Sequence, residues 1–80
     1  MPRMVGATYV SGYTVYLKFS DGPEGDVDLS DRLFGPIFEP LKDIDEFKKV
    51  TFNSDIQTIV WPNGADFAPE FLYDRLKVVV

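Results

Sequence analysis

The chain has 80 residues, of which 8 are basic and 13 acidic, so its formal net charge is 8 − 13 = −5 at pH 7. This length predicts one domain over residues 1–80, and the negative charge disfavours direct binding to nucleic acid. Cys and His do not occur in the sequence, which excludes disulfides, thiolate and imidazole metal sites, and catalysis by Cys or His.

The hydrophobic segments are too short for a membrane span, which needs about 18 consecutive apolar residues, and residues 1–7 lack the apolar run of a signal peptide. We therefore expect a cytoplasmic protein that does not bind a membrane. Seven Phe, four Tyr and one Trp provide large apolar side chains, so we also expect the chain to fold without a cofactor.

Residues 5–29 have the pattern of an antiparallel meander. Residues 5–10 alternate between two faces, and Ser11 and Gly12 interrupt this run. A second alternating run, from Tyr13 to Phe19, has one face of aromatic or branched side chains, which is expected to point inward. A turn with two glycines and a proline spans residues 20–25. Residues 26–29 alternate again, which predicts a third strand paired with the second.

Short helices and irregular segments are predicted between residues 30 and 49. Ser30 is a candidate cap for a brief helical turn that Gly35 stops, and residues 37–41 form a crossing segment over one end of the core. Asp43 and Glu46 have the spacing of a capping box, which predicts a helix of about two turns with a surface pair between Asp45 and Lys49.

The segment from Ile56 to Phe67 reads as a strand that enters a fixed turn. Residues 56–61 place large apolar side chains on both alternating faces, which predicts a strand near the middle of a sheet, and residues 50–52 before it also have strand propensity. Pro62 ends the strand, Asn63 and Gly64 are expected at positive φ, and Asp66 is expected to accept hydrogen bonds from the backbone of the turn.

A final helix is predicted to begin at Pro69 and to run through Leu76, with an apolar stripe that includes Phe71 and Leu72. Residues 78–80 are three valines. They leave open an added edge strand, a dimer contact, a partner site or a frayed end.

These elements predict an α+β fold: a small antiparallel sheet, made of a meander plus a later hairpin, with two or three short helices. The predicted core consists of residues from the second strand and the later strand: Tyr13, Val15, Leu17, Phe19, Ile59, Val60 and Trp61.

Several ordered segments between Tyr13 and Tyr73 resemble the bacterial family named domain of unknown function 2442. The matching segments are residues 19–22, 27–29, 35–41 and 60–66, followed by Pro69, Glu70, Leu72 and Tyr73. The family often has Asp ahead of that proline, whereas this chain has Ala68, which removes a side-chain cap worth about 0.5 to 2 kcal/mol.

The resemblance implies a small α+β domain without established catalytic residues. Such domains are often encoded beside another small protein, which suggests toxin–antitoxin pairing, and some members are joined to a helix-turn-helix segment. This sequence has no such segment.

One group of carboxylates and one single carboxylate have both a functional and a structural interpretation. Asp21, Glu24, Asp26 and Asp28 have the oxygen ligands that calcium or magnesium requires, but their spacing fits a solvated acidic turn better. Asp66, near Asn63, is a candidate acid or base, but an Asx side chain that stabilises its own turn is the stronger interpretation.

Trp61, Asn63, Asp66 and Tyr73 form the candidate binding or signature surface. An exposed Trp61 would favour a ligand or partner contact, and a buried one a packing function, which short chains need more. No catalytic, cofactor-binding or metal-ligating residue is predicted.

We therefore expect a non-enzymatic interaction module whose partner is another small protein, of basic charge, or a second copy in a homodimer. One form of this hypothesis is the acidic member of a toxin–antitoxin-like pair. The alternatives are a small enzyme or ligand sensor built on the Asn63 and Asp66 turn, and an accessory domain of a transcription regulator.

Overall fold

The computed structural model describes residues 3–78, with side chains over residues 3–76. It confirms the α+β class, since a three-stranded and a two-stranded antiparallel sheet are combined with two α-helices and two 3-10 turns. For the valine tail at residues 78–80, the structure describes only the backbone of Val78, so the alternatives left open for the tail lie outside the described residues. Among the described helices, none is both long and apolar enough to cross a membrane.

The predicted meander is present as strands β1 (Met4–Ser11), β2 (Thr14–Phe19) and β3 (Glu24–Asp28), in the order β1-β2-β3. Both pairings are antiparallel, and the β1–β2 register shifts twice whereas the β2–β3 register does not shift. The alternation of side chains was predicted correctly, because Val15, Leu17 and Phe19 are buried and Lys18 is exposed.

The short helical segments differ in detail from the prediction. Ser30 begins a 3-10 turn, Ser30–Arg32, but does not cap it, because Leu29 holds the N-cap position. The Ser30 N–H donates to Asp28 Oδ1 at 2.8 Å. A second 3-10 turn, Glu39–Lys42, buries Leu41 over the core. Leu41 and the half-buried Phe38 therefore cover the core as predicted, whereas Ile37 is exposed.

Helix α1 (Ile44–Phe47) is a single turn, not two. Asp43 caps it as predicted, with Oδ1 accepting from the Asp45 N–H at 3.0 Å. The side chain of Glu46 bonds with Lys49, and Asp45 pairs with Lys48. The predicted pair between Asp45 and Lys49 was wrong because the helix ends too early for an i,i+4 contact.

The later hairpin consists of β4 (Thr51–Asn53) and β5 (Thr58–Val60). The prediction of a strand from Ile56 near the middle of a sheet was wrong: β5 pairs with β4 in a two-stranded sheet, and Ile56 is exposed. Asn53 Oδ1 accepts hydrogen bonds from the N–H groups of Asp55 and Ile56, and Gln57 has a φ of 58°. This turn occupies residues that the sequence assigns to the strand.

Helix α2 (Pro69–Val78) begins at the predicted proline and packs against the sheet. Leu72 is fully buried, and Leu76 lies under β3, where its Cδ1 would be 3.2 Å from a Cβ added to Gly25. The core joins the meander, the later hairpin and α2. Of the predicted core residues, Tyr13 and Val60 are only half-buried, and the other five are buried.

Candidate functional site

The signature segment folds into a tight turn between β5 and Asp66. The Gly64 N–H donates to the Trp61 carbonyl oxygen at 2.9 Å, and the Trp61 N–H donates to the Ala65 carbonyl oxygen at 2.9 Å. Gly64 has a φ of 91°, whereas Asn63 does not have the positive φ that we expected. A glycine at this position avoids the strain that a Cβ would cause.

Asn63, and not Asp66, stabilises the turn. Its Oδ1 accepts from the Ala65 N–H at 3.0 Å, and its Nδ2 donates to the Ile37 carbonyl oxygen at 2.9 Å. Asp66 is exposed, and its carboxylate has no hydrogen bond within residues 3–78. The hydrogen bonds that we predicted for Asp66 were therefore wrong. The Asn63 side chain bonds to the backbone of the turn instead, and it also holds the crossing segment at Ile37.

Trp61 is a packing residue in this structure, since only 1% of its surface is exposed. Its Nε1 donates to the Phe47 carbonyl oxygen at 2.8 Å. The ring lies 5.4 Å from the Phe47 ring and 5.8 Å from the Phe67 ring, measured between centroids. The indole thus joins the end of α1 to the turn after β5, and it does not face solvent.

Tyr73 lies at a different place, beside the turn between β2 and β3. Its ring meets the Phe19 ring edge-on at 5.1 Å, and its hydroxyl donates to Asp21 Oδ2 at 2.7 Å. This hydrogen bond, followed by desolvation and the negative charges of Asp21 and Asp74, raises the pKa of Tyr73. Tyr73 therefore holds α2 against the meander.

The four residues of the predicted surface are thus divided between two places. Trp61, Asn63 and Asp66 belong to one turn, where the indole N–H and both ends of the Asn63 amide already have partners. Tyr73 anchors α2 at the other sheet. The arrangement at both places supports the fold.

A second surface is more distinctive: the acidic face, which consists of Glu24, Asp26 and Asp28 on β3. All three residues are exposed and alternate with the inward-facing Gly25 and Val27. Their side chains therefore project in a row from the solvent side of the three-stranded sheet.

The neighbours of the acidic face on β2 carry little positive charge. Glu24, Asp26 and Asp28 lie opposite Lys18, Tyr16 and Thr14, respectively. The Tyr16 hydroxyl bonds to Glu24 Oε1, and this bond, with desolvation and the charges of Glu24 and Asp26, raises the pKa of Tyr16. Lys18 is the one cation on the outer side of these three strands within residues 4–28.

The sequence predicted Asp26 and Asp28 on a third strand, but their carboxylates, with that of Glu24, were interpreted as a solvated acidic turn, and the face that they form was missed. The signal was available, since carboxylates at 24, 26 and 28 alternate with Gly25 and Val27. Within residues 3–78, no three acidic side chains are grouped as metal ligands would be.

The lysines around α1 do not form an open basic patch. Each pairs with an acidic residue three positions earlier in the sequence. The pairs are Lys42 with Glu39 at 3.1 Å, Lys48 with Asp45 at 3.3 Å and Lys49 with Glu46 at 3.0 Å. A surface for nucleic acid needs a concentration of unneutralised positive charge, which this helix does not provide.

Comparison with known proteins gives one assignment. Neither a curated protein nor a solved structure shows a significant match to the chain. The model of a family described as protein of unknown function, DUF2442, matches residues 4–78, which is nearly the whole sequence. The segments that resemble this family contain the turn at Trp61 and the anchor at Tyr73, and the chain belongs to the DUF2442 family.

Proposed function

We propose that the chain is a non-enzymatic interaction module that binds a basic protein through the acidic face. The observation that carries this proposal is the row of three exposed carboxylates on β3. The neighbouring strand β2 contributes a single positive charge, that of Lys18, to the same surface. A surface of one sign attracts partners of the other sign and speeds their association.

A ligand site at the signature turn has less support. The Trp61 indole is buried and bonded to Phe47, and the Asn63 amide is bonded to Ile37 and Ala65. A binding site for a small molecule needs converging polar groups that are still available to the ligand. The indole and the Asn63 amide are used within the fold, and the exposed carboxylate of Asp66 does not by itself provide converging groups.

In its more specific form, the proposal makes this chain the acidic member of a toxin–antitoxin-like pair. The net charge of −5 suits a partner with an excess of Lys and Arg. Binding would neutralise charge on both proteins. The partner in this form of the proposal is the small protein encoded beside the chain.

The test is the solution mass of the chain, alone and mixed with the product of the neighbouring gene, by sedimentation or light scattering. We expect a complex that weakens as salt concentration rises. The key variant is the triple substitution Glu24→Gln, Asp26→Asn and Asp28→Asn, which removes the charge of the acidic face while nearly keeping its shape. We expect this variant to lose the complex.

The matched control is Glu39→Gln, Asp45→Asn and Asp55→Asn, three exposed acidic residues elsewhere on the chain. Both triple variants change the net charge by the same amount, from −5 to −5 + 3 = −2. Binding that survives in the control but not in the first variant supports the acidic face. A chain that stays alone with this partner, or equal losses in both variants, contradicts the proposal.

A further inference from the structure

We infer that the partner binds as an added strand: a basic, extended segment pairs with the free edge of β3 and places Lys or Arg side chains against the acidic face. The free edge is the side of β3 that faces away from β2. This inference rests on the proposed function and specifies the chemistry and the conformation of the bound segment.

The backbone groups of β3 point alternately toward β2 and toward the free edge. The Leu29 N–H donates to the Tyr13 carbonyl oxygen, and the Phe19 N–H donates to the Pro23 carbonyl oxygen, both at 2.9 Å. These pairs continue the β2–β3 register at both ends. Since hydrogen-bonded and non-hydrogen-bonded pairs alternate in an antiparallel ladder, the odd-numbered residues of β3 bond to β2.

The even-numbered residues of β3, which are Glu24, Asp26 and Asp28, therefore direct their N–H and C=O groups to the free edge. Within residues 3–78, β2 is the only strand that pairs with β3, and no backbone hydrogen bond outside the ladders involves these three residues. A row of unpaired backbone groups is a template for another strand.

The other edge of the sheet is less suitable. The β1–β2 register is shifted between Met4 and Gly6 and again between Tyr9 and Ser11. Such irregularities twist an edge strand and interrupt its row of donors and acceptors. By contrast, β3 pairs with β2 over five consecutive residues without a shift, so its backbone groups keep regular spacing.

The charges on β3 select the occupant. If two copies of β3 paired antiparallel about Asp26, Glu24 would face Asp28 and Asp26 would face its own copy. Like charges directly opposite each other destabilise a strand pair, whereas opposite charges stabilise it. The free edge therefore disfavours a second copy of this chain and favours a strand with Lys or Arg at every second position.

Helix α2 holds the free edge ready for binding. Val27 is buried, and Leu76 is so close to Gly25 that an added Cβ would lie 3.2 Å from Leu76 Cδ1. The inner side of β3 is therefore packed before a partner arrives. Little ordering of β3 is needed on binding, and this lowers the cost of association.

The experiment compares two short synthetic peptides of the same composition, one with Lys alternating with Val and Thr, the other with its Lys residues contiguous. Affinity is measured by calorimetry at low salt. We expect the alternating peptide to bind more tightly, and Asp26→Asn to weaken it about two- to fivefold, whereas Asp45→Asn should leave it unchanged. Hydrogen exchange at the Asp26 and Asp28 amides should slow on binding.

Backbone N-methylation of the alternating peptide isolates the strand pairing from charge. Successive residues of a strand direct their N–H groups to opposite sides. Methylation of one alternate set of amides should therefore weaken binding by about tenfold or more, while methylation of the other set should leave it unchanged. This asymmetry is specific to an added strand.

Equal affinity of the two peptides, with neither set of methyl groups having an effect, would overturn the inference. The acidic face would then attract basic peptides by charge alone, and the proposed function would stand. If neither peptide binds and the partner complex is insensitive to the triple variant of the acidic face, both the inference and the proposed function are wrong.

Discussion

The indole N–H of Trp61 and the carbonyl oxygen of Phe47 form a buried hydrogen bond of 2.8 Å that fastens the one-turn helix α1 to the end of β5. Both residues are essentially inaccessible to solvent. The side chain that is most prominent in the signature segment therefore stabilises the scaffold, and the acidic face, which we propose as the binding surface, does not include it.

Replacement of Trp61 by Phe should lower the free energy of unfolding by about 2 to 4 kcal/mol. The substitution removes the indole donor, leaves the buried Phe47 carbonyl oxygen without its partner and opens a small cavity. Urea unfolding measures the loss. Phe34→Leu is the control, since Phe34 is 61% exposed and should change stability by no more than about 0.5 kcal/mol. Equal losses in the two variants would contradict the packing function of Trp61.

The two Asx residues of the signature turn should respond differently to alanine. Asn63→Ala removes a bond to the Ala65 N–H and a bond to the Ile37 carbonyl oxygen, and we expect a loss of about 1 to 2 kcal/mol. Asp66→Ala should cost no more than about 0.5 kcal/mol, because the carboxylate is exposed. Thermal unfolding of both variants under the same conditions provides the comparison; the reverse order of losses would refute our interpretation of the turn.

The pair between Asp31 and Arg75 should make stability depend on acid pH. The hydrogen bond from Arg75, which is the main cause, holds the pKa of Asp31 below its ordinary value of 3.8. Since the folded-state pKa is the lower one, the stabilisation is complete above 3.8 and is lost as the pH falls through the folded-state pKa. Asp31→Asn should therefore flatten the decline in stability over this range.

The control for this dependence of stability on acid pH is Arg75→Gln, measured alone and combined with Asp31→Asn. If the pair acts as a unit, the double variant should lose no more pH dependence than either single variant. Additive effects would mean that the two side chains act independently.

The hydrogen bond between Tyr73 and Asp21 should make the stability of the fold depend on alkaline pH. It is the main cause that raises the pKa of Tyr73 above 10.0, so its stabilisation is present below that value and is lost as the pH rises through the higher folded-state pKa. Asp21→Asn should return the pKa of Tyr73 toward 10.0. An NMR titration of the Tyr73 ring reports this directly, and an unchanged midpoint would show that Asp21 does not control it.

Local patterns predicted the meander and α2 well because their signals are self-contained. Strict alternation from Tyr13 to Phe19 identifies a half-buried strand, and Pro69 marks the start of a helix. The predictions failed where a choice depended on distant residues. Asn63 bonds locally to the Ala65 N–H, but its bond to the Ile37 carbonyl oxygen spans 26 positions and needs an amide donor that Asp66 lacks.

The candidate site was less predictable than the fold. The alternation of Glu24, Asp26 and Asp28 is visible in the sequence, but a sequence does not show which side of β3 will remain unpaired. The first residue of β5 could not be predicted from the sequence pattern either. Apolar residues favour a strand from Ile56, whereas the Asn53 side chain stabilises a turn that delays its start to Thr58.

The attachment of α2 also determines when the chain can fold. Leu72 fills the core, Tyr73 bonds to Asp21 across 52 positions, and Arg75 bonds to Asp31 across 44. Until residues 69–78 have been synthesised, Leu72 is missing from the core and the part of the meander beside α2 has no cover. We therefore expect a chain that is truncated before Pro69 to fold incompletely and to be prone to aggregation.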